Sequence, residues 1–247
     1  MCDEKQLNKK WRETLDDGIT NPDWDIYDAT IKEVLAGYNG RLKRNVDWKL
    51  VKAMLWVESS GPKGIGGAWR KAVMQIGSNK NDPGWSIVKA GVTGDTAKSE
   101  GSELILSDED KRLFKAAAID TPSVNIRAAI VYLLTRMART AYVEEFDPQD
   151  ASEHTYTVQA GDTYSGLQKK LGTTVKVLEA MNTTKLLKPG QVLKYKKAQV
   201  VRRIVEWRTF DTATIATRYN GGGDPTYSCK LDYALKLFKQ LKPETRR

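Results

Sequence analysis

Between residues 47 and 60 the apolar positions follow the spacing of an amphipathic helix. Val51, Met54 and Leu55 fall on one face, because side chains three or four positions apart lie side by side on a helix. Asp47 precedes the pattern as an N-cap, and the glycine–proline pair at 61–62 ends it. The segment is predicted to be a helix with one buried face.

Glu58 lies on this apolar face, near the end of the same helix. Partial burial disfavours the charged form of a carboxyl, and so does a place in the last turn, at the negative end of the helix dipole. Both effects raise the pKa of Glu58, as a general acid near neutral pH requires. The alternative is an ordinary glutamate whose side chain reaches solvent at a helix end.

The rest of the chain divides into further periodic segments. Helices are predicted over residues 25–38, about 125–142, 199–219 and 227–241, with Asn39-Gly40 ending the first and Asn125 capping the second. Residues 102–107 are predicted to be a strand in a small hairpin. Residues 1–22 are polar and are expected to form a loosely packed lead-in.

Residues 155–197 follow a polar linker and have a pattern of their own. A short alternating strand leads into a turn at Gly161, after which Asp162 is placed to cap a helix. Gly172 separates this helix from a second one, and Pro189-Gly190 turns the chain into a final strand. The order strand–helix–helix–strand predicts a small, separate domain.

The composition is that of an ordinary globular protein, with 40% hydrophobic and 29% charged residues in a chain of 247. It contains no apolar run of the length that spans a membrane, so no membrane span is expected. The first residues lack the apolar stretch of a standard signal peptide, which predicts synthesis in the cytoplasm without one.

The net charge of +9 suits a polyanionic partner such as nucleic acid, anionic lipid or an acidic wall polymer, although it also serves solubility alone. Nucleic acid is disfavoured, because no recognisable binding motif and no long basic run occurs. His154 is the only histidine, which argues against a histidine-based metal site or a Ser-His-Asp triad, so no metal and no cofactor is expected. Cys2 and Cys229 are predicted to be free thiols.

Residues 155–197 resemble a LysM module in their strand, turn and helix sequences, at the spacing of that family. The residues that carry the resemblance, and to which it assigns glycan binding, are Gly161, Asp162, Thr163, Asn182, Pro189 and Gly190. LysM modules bind glycans that contain N-acetylglucosamine, chiefly peptidoglycan. Eight lysines against two acidic residues give this segment a net charge of +6, which favours an anionic wall. The alternative is a small packing domain without a ligand.

The flanking segments resemble the catalytic domain of the soluble lytic transglycosylases. The matching motifs, in chain order, are Glu58-Ser59, residues 72–76 ending in Met74-Gln75-Ile76, the Pro-x-x-Asn-Ile segment with Asn125, and the turn that begins Tyr219-Asn220. Ala72 and Val73 stand where the family has Gly and Leu.

Together the resemblances imply a mainly α (α+β) protein. A lysozyme-like helical catalytic domain is expected over residues 23–150 and 198–247, with an inserted LysM domain of strand–helix–helix–strand order at 153–197.

The resemblance implies that Glu58 protonates the β-1,4 bond between N-acetylmuramic acid and N-acetylglucosamine. The resulting carboxylate then accepts a proton from the C6 hydroxyl of the muramic acid, which closes a 1,6-anhydro ring without water. Tyr219 is assigned a catalytic role beside it, as a hydrogen-bond partner of the reacting sugar or of Glu58, and its alternative is a core tyrosine. Substrate binding is assigned to Ser59, Met74, Gln75, Ile76, Asn125 and Asn220, whose alternatives are helix termination, helix capping and loop packing.

Two other functions stay open at this point. A hydrolase on a related fold needs a second carboxylate to activate water, for which Asp82, Asp95 and Glu103 are candidates. A non-catalytic wall-binding protein is the third interpretation.

A wall-cleaving enzyme without a signal peptide is expected to act at the periplasm or cell wall of a target cell, as a secreted antibacterial effector or a phage lysin. Its expected partners are peptidoglycan strands, a secretion apparatus and an inhibitor or immunity protein, and the protein is expected to be a monomer.

Overall fold

The structure is a computed structural model and describes residues 4–183 and 186–240. The α-helices of this part are α1 (Lys9–Asp16), α2 (Asp28–Leu42), α3 (Trp48–Ser59), α4 (Pro83–Thr93), α5 (Ser102–Ile105), α6 (Asp108–Ala116), α7 (Pro122–Met137), α8 (Tyr164–Leu171), α9 (Val175–Met181), α10 (Thr212–Arg218) and α11 (Tyr227–Gln240). The strands are β1 (Ala138–Phe146), β2 (His154–Thr157), β3 (Val192–Tyr195) and β4 (Ala198–Trp207). Short 3-10 helices cover Glu4–Gln6, Asp17–Ile19, Pro22–Asp25 and Ile65–Arg70. The described part is therefore mainly α with small β elements, as predicted.

The chain forms two compact units: residues up to 139 together with residues from 206 onward, and residues 140–205. In the first unit, α7 packs against α2, α4, α5 and α10, and α3 packs against α2 and α11. Apolar side chains cover nearly the whole circumference of α7 between residues 124 and 134, which makes it the central helix.

Helix α3 was predicted correctly, with the expected cap at each end. The Asp47 side chain accepts a hydrogen bond from the Lys49 amide, and Ser60 ends the helix in the left-handed conformation. Gly61 follows with φ of 74°, and a Cβ atom there would lie 2.1 Å from the ring of Trp24. Only glycine fits this turn, which fixes the end of α3 that carries Glu58.

Two of the predicted helices are wrong. The pattern from Asn125 ends as a helix at Met137, and residues 199–219 form most of β4 followed by α10. Strand β1 pairs with β4, and exposure alternates along β1 from residue 141 to 146. Valine and isoleucine occupy positions 200, 201, 204 and 205 of β4, a spacing that fits a helical stripe, but these β-branched residues favour a strand.

Smaller corrections concern three other segments. Residues 102–105 form helix α5 instead of a strand, and the Ser102 hydroxyl anchors it to the Ile87 carbonyl. Helix α2 runs through Asn39 and Gly40 and ends at Lys43, in the left-handed conformation. In the polar lead-in, Leu7 and Leu15 are buried, so its described part packs against the protein.

In the second unit, β2 and β3 pair antiparallel, with His154 opposite Tyr195 and Thr157 opposite Val192. Helices α8 and α9 lie between them in the sequence, in the predicted order. The core of this domain consists of Val158, Leu167, Leu178 and Leu193. Thr163 caps α8 in place of the predicted Asp162, and Thr174 caps α9.

Cys229 is disulfide-bonded in the structure, which corrects the prediction of a free thiol. The second cysteine of the chain, Cys2, lies outside the described residues. No helix in the described residues combines the length and hydropathy needed to cross a membrane.

Candidate active site

The Glu58 carboxyl is held by a tyrosine from a distant part of the sequence. Helix α11 begins at Tyr227 and packs against α3, which brings the two side chains together. The Tyr227 hydroxyl donates a hydrogen bond of 2.6 Å to Oε1 of Glu58. One carboxylate oxygen is therefore fixed, and Oε2 makes no hydrogen bond to any described residue.

Burial is the largest influence on this carboxyl and raises the pKa of Glu58 to about 7. The hydrogen bond from Tyr227 and the charge of Lys230 lower this pKa, whereas the carboxylates of Asp224 and Asp82 raise it. Glu58 keeps part of its surface exposed. It is thus a carboxyl that can be reached from solvent and that changes its charge near neutral pH, as the sequence predicted.

Tyr219 is also close to Glu58. It is 8% exposed, its ring lies 5.1 Å from that of Tyr132, and the nearby Glu58 charge adds to burial in raising the pKa of its hydroxyl. The hydroxyl oxygen is buried and makes no hydrogen bond to any residue that the structure describes. A donor without a partner beside an acidic group can serve a substrate oxygen.

Asn125 is fully buried and holds the backbone of the loop that carries Gln75. Its Oδ1 accepts from the Met74 amide at 2.7 Å, and its Nδ2 donates to the carbonyls of Ile76 and Ile119 at 2.7 and 3.0 Å. It lies inside α7, whose N-cap is Thr121, so it is not the predicted helix cap.

In the loop of residues 74–76, which hydrogen-bonds to Asn125, one predicted substrate-binding residue is partly exposed to solvent. Met74 and Ile76 are buried, at 1% and 5% exposure. Gln75 between them has φ of 58° and is partly exposed. Within this motif the side chain of Gln75 is the one placed to reach a ligand.

The side chains of Ser59 and Asn220 make hydrogen bonds to backbone groups. The Ser59 hydroxyl donates to the Leu55 carbonyl and accepts from the Gly61 amide, which ties the end of α3 to the next turn. Asn220 accepts from the Asp224 amide at 3.0 Å and closes the glycine-rich turn that precedes Tyr227. Both residues shape the site rather than face it.

The predicted glycan-binding residues of the second unit lie at its turns. Gly161 and Gly190 have φ of 89° and 86°, and Pro189 is exposed beside the latter. Asp162 accepts from the Gln159 amide and the Tyr156 hydroxyl, Thr163 caps α8, and Asn182 pairs with the backbone of Lys194. The turns at 161–163 and 189–190 therefore have fixed shapes.

Sequence reasoning missed Tyr227, which was noted only as the start of a helix. The signal that could have found it is its position after the turn from Tyr219 to Pro225, because that turn was already assigned to the site. The same turn supplies Asp224, whose carboxylate lies 2.6 Å from the Lys230 ammonium.

The Tyr227→Phe substitution is expected to raise the pKa of Glu58 further, because it removes a hydrogen bond that favours the ionised form. A bond to a charged group is worth roughly 1.5–3 kcal/mol, so the rise is about one unit or more. NMR titration of the 13C-labelled carboxyl measures it. Tyr233→Phe on the same helix is the control, because its hydroxyl bonds Asp16, and it is expected to leave the Glu58 titration unchanged. An unshifted titration in Tyr227→Phe would contradict the assigned bond.

No group of three or more histidine, cysteine, aspartate or glutamate side chains in residues 4–183 and 186–240 is arranged to hold a metal ion.

Residues 156–196 match the family model of the LysM domain. No curated protein and no solved structure matches the chain. The matched residues coincide with the helix pair and the paired strands β2 and β3. The chain therefore contains a LysM domain, a peptidoglycan-binding module, within its second unit.

Proposed function

We propose that the protein is a peptidoglycan lytic transglycosylase in which Glu58 is the single acid and base. The observation that carries this proposal is a carboxyl with a pKa of about 7, held by Tyr227, in a chain that also contains a LysM domain. A pKa near the working pH keeps both the acid and the base form available. The first unit is accordingly proposed to be a lysozyme-like catalytic domain into which the LysM domain is inserted.

The reaction uses each form of Glu58 in turn. The protonated carboxyl donates its proton to the glycosidic oxygen between N-acetylmuramic acid and N-acetylglucosamine, and the N-acetyl group of the muramic acid assists at the anomeric carbon. The resulting carboxylate accepts the proton of the C6 hydroxyl while that oxygen bonds to the anomeric carbon. Glu58 ends protonated again, and no water is consumed. The free hydroxyl of Tyr219 is placed to stabilise the charge that develops on an oxygen.

A hydrolase would need a second carboxylate to activate water. Among the acidic residues, Asp82 and Asp224 act on the Glu58 carboxyl. Asp82 accepts from the amides of Gly77 and Trp85, and the Asp224 oxygens accept from Thr226 and Lys230. Both carboxylates are engaged by the protein, which favours the mechanism without water.

The other two candidates for a second carboxylate are hydrogen-bonded by neighbouring residues. Asp95 accepts from the Lys98 amide, and Glu103 is hydrogen-bonded by Ser99. Each therefore has a local structural partner.

Purified peptidoglycan treated with the protein is expected to yield 1,6-anhydromuramic ends. Mass spectrometry separates these from reducing ends, which differ by one water. If only reducing ends were found, the protein would be a hydrolase instead of a transglycosylase. Binding without any released fragment would leave a non-catalytic wall-binding protein.

The LysM domain is proposed to keep the enzyme on its polymeric substrate, because linking two binding sites raises the effective concentration of substrate at the second. The protein is proposed to act at the cell wall of a target cell, as a secreted effector or a phage lysin, with an immunity or inhibitor protein as a partner. Fractionation of producing and neighbouring cells tests the delivery, and strict retention in the producer would contradict it.

A further inference from the structure

The first unit contains a cluster of arginines that the proposed reaction does not use. We call it the arginine pocket: a cavity of about 490 Å³ lined by Arg139, Arg208 and Arg218, by three threonines, by Trp207 and by the acidic Glu206. Arg136 adjoins it, since its Nε donates to the carbonyl of Arg218. Four guanidinium groups thus lie around one small space.

Two of these four arginines have a carboxylate within ion-pair distance. Arg136 pairs with Glu100, and Nε of Arg139 lies 3.3 Å from the Glu206 carboxylate. Neither Arg208 nor Arg218 has a carboxylate partner within the described part of the chain. Arg208 and Arg218 therefore lack an ion-pair partner in this part, and the Asp211 carboxylate close by accepts hydrogen bonds from Thr209 and Thr214 of the pocket lining.

Arg208 is the most constrained member. One of its terminal nitrogens donates to the carbonyls of Arg136 and Ala138, at 3.1 and 2.6 Å. Its Nε is buried and makes no hydrogen bond to any described residue. Burial, and then the charges of Arg218, Arg139 and Arg136, lower the pKa of this guanidinium. An anion in the pocket would relieve the repulsion among these guanidinium groups.

The pocket lies next to the candidate active site along the chain. Arg218 ends α10, and the next residue is Tyr219, whose hydroxyl is close to Glu58. The two places therefore share the backbone at the end of α10. A substrate that carries an anionic group beside its reacting sugar could engage both.

We propose that the arginine pocket binds the carboxylates of the peptide stems of peptidoglycan. This inference rests on the proposed function, because the stem is attached to the muramic acid whose bond Glu58 cleaves. Guanidinium groups bind carboxylates through paired, charge-assisted hydrogen bonds, and the threonine hydroxyls and the Trp207 ring suit the polar and apolar parts of a peptide. The pocket would then distinguish strands that carry stems from bare glycans.

The test uses a synthetic stem tetrapeptide without sugar, so that glycan binding contributes nothing. Its affinity for the full chain is measured by calorimetry, beside the same peptide with its carboxyls amidated. We expect amidation to weaken binding about tenfold, and Arg218→Gln to weaken binding of the free peptide about tenfold. If the peptide carboxyls and Arg218 interact, Arg218→Gln should weaken binding of the amidated peptide little further. This is the non-additivity that a double-mutant cycle detects. The indole resonance of Trp207 should shift at about tenfold lower concentration of the free peptide than of the amidated peptide.

Arg112→Gln is the control, because it removes the same charge from an exposed position on α6. It should bind the peptide like the wild type. Equal affinity for the amidated and free peptides, or unchanged binding by Arg218→Gln, would overturn the proposal. So would inorganic phosphate that binds as tightly as the peptide, since the pocket would then be a general anion site. Anhydromuramic products without peptide binding would defeat this inference alone, and peptide binding without such products would defeat the proposed reaction alone.

Discussion

Glu58→Gln is expected to release no measurable anhydromuropeptides from peptidoglycan. Glutamine keeps the shape of the side chain and its ability to accept from Tyr227, but it can neither donate nor accept the transferred proton. General acid–base catalysis contributes about 10²–10⁴-fold to a rate, and here one group serves both steps, so the loss should reach about a thousandfold or more. Mass spectrometry of the soluble fraction and turbidity of a peptidoglycan suspension measure it.

The control for this variant is its stability at two pH values. In the wild type the pKa of Glu58 is raised from 4.5 to about 7, so the native state binds a proton that the unfolded state has lost. Stability therefore falls as pH rises through this window, by up to about 3 kcal/mol, and Glu58→Gln escapes the loss. The variant should unfold at higher urea than the wild type at pH 8 but not near pH 4. Activity equal to the wild type would remove Glu58 from the mechanism.

The sequence predicted the position of Glu58 because every signal for α3 is local. The cap at Asp47, the apolar stripe and the turn at Gly61 agree within fifteen residues, and the helix dipole and the buried face act on the same carboxyl. Tyr227 could not be found in this way, since it lies 169 residues from Glu58 and only the packing of α11 on α3 brings it there. The charged groups that shift the pKa of Glu58 are likewise brought near it only by the packing of the fold.

The paired strands β1 and β4 were missed for a different reason. Each follows a helical or LysM segment without a clear break, and the apolar residues of β4 at 200, 201, 204 and 205 have the spacing of a helical stripe. The LysM domain was predicted almost completely. Its turns at Gly161, Gly172 and Gly190 require a positive φ, so these glycines mark the ends of its helices and strands in the sequence.

Asn125→Leu is expected to destabilise the protein by at least about 2 kcal/mol, because it leaves three backbone groups without partners, two of them in buried residues, and each buried group is worth roughly 1–3 kcal/mol. These groups are the Met74 amide and the carbonyls of Ile76 and Ile119. Urea unfolding measures the loss. Asn79→Leu is the matched control, since Asn79 is exposed and its side chain accepts from the nearby Asn81 amide, and it should cost well under 1 kcal/mol.

Measurements of stability distinguish two roles for Asn125: holding the loop in place, or contacting the substrate directly. Its side chain is fully buried and all its partners belong to the backbone, so it acts on a sugar only through the loop that carries Gln75. Asn125→Asp keeps the acceptor for Met74 but loses both donors, and its stability should fall between those of the wild type and Asn125→Leu. A variant that unfolds like the wild type yet loses glycan cleavage would instead place Asn125 in direct contact with the substrate.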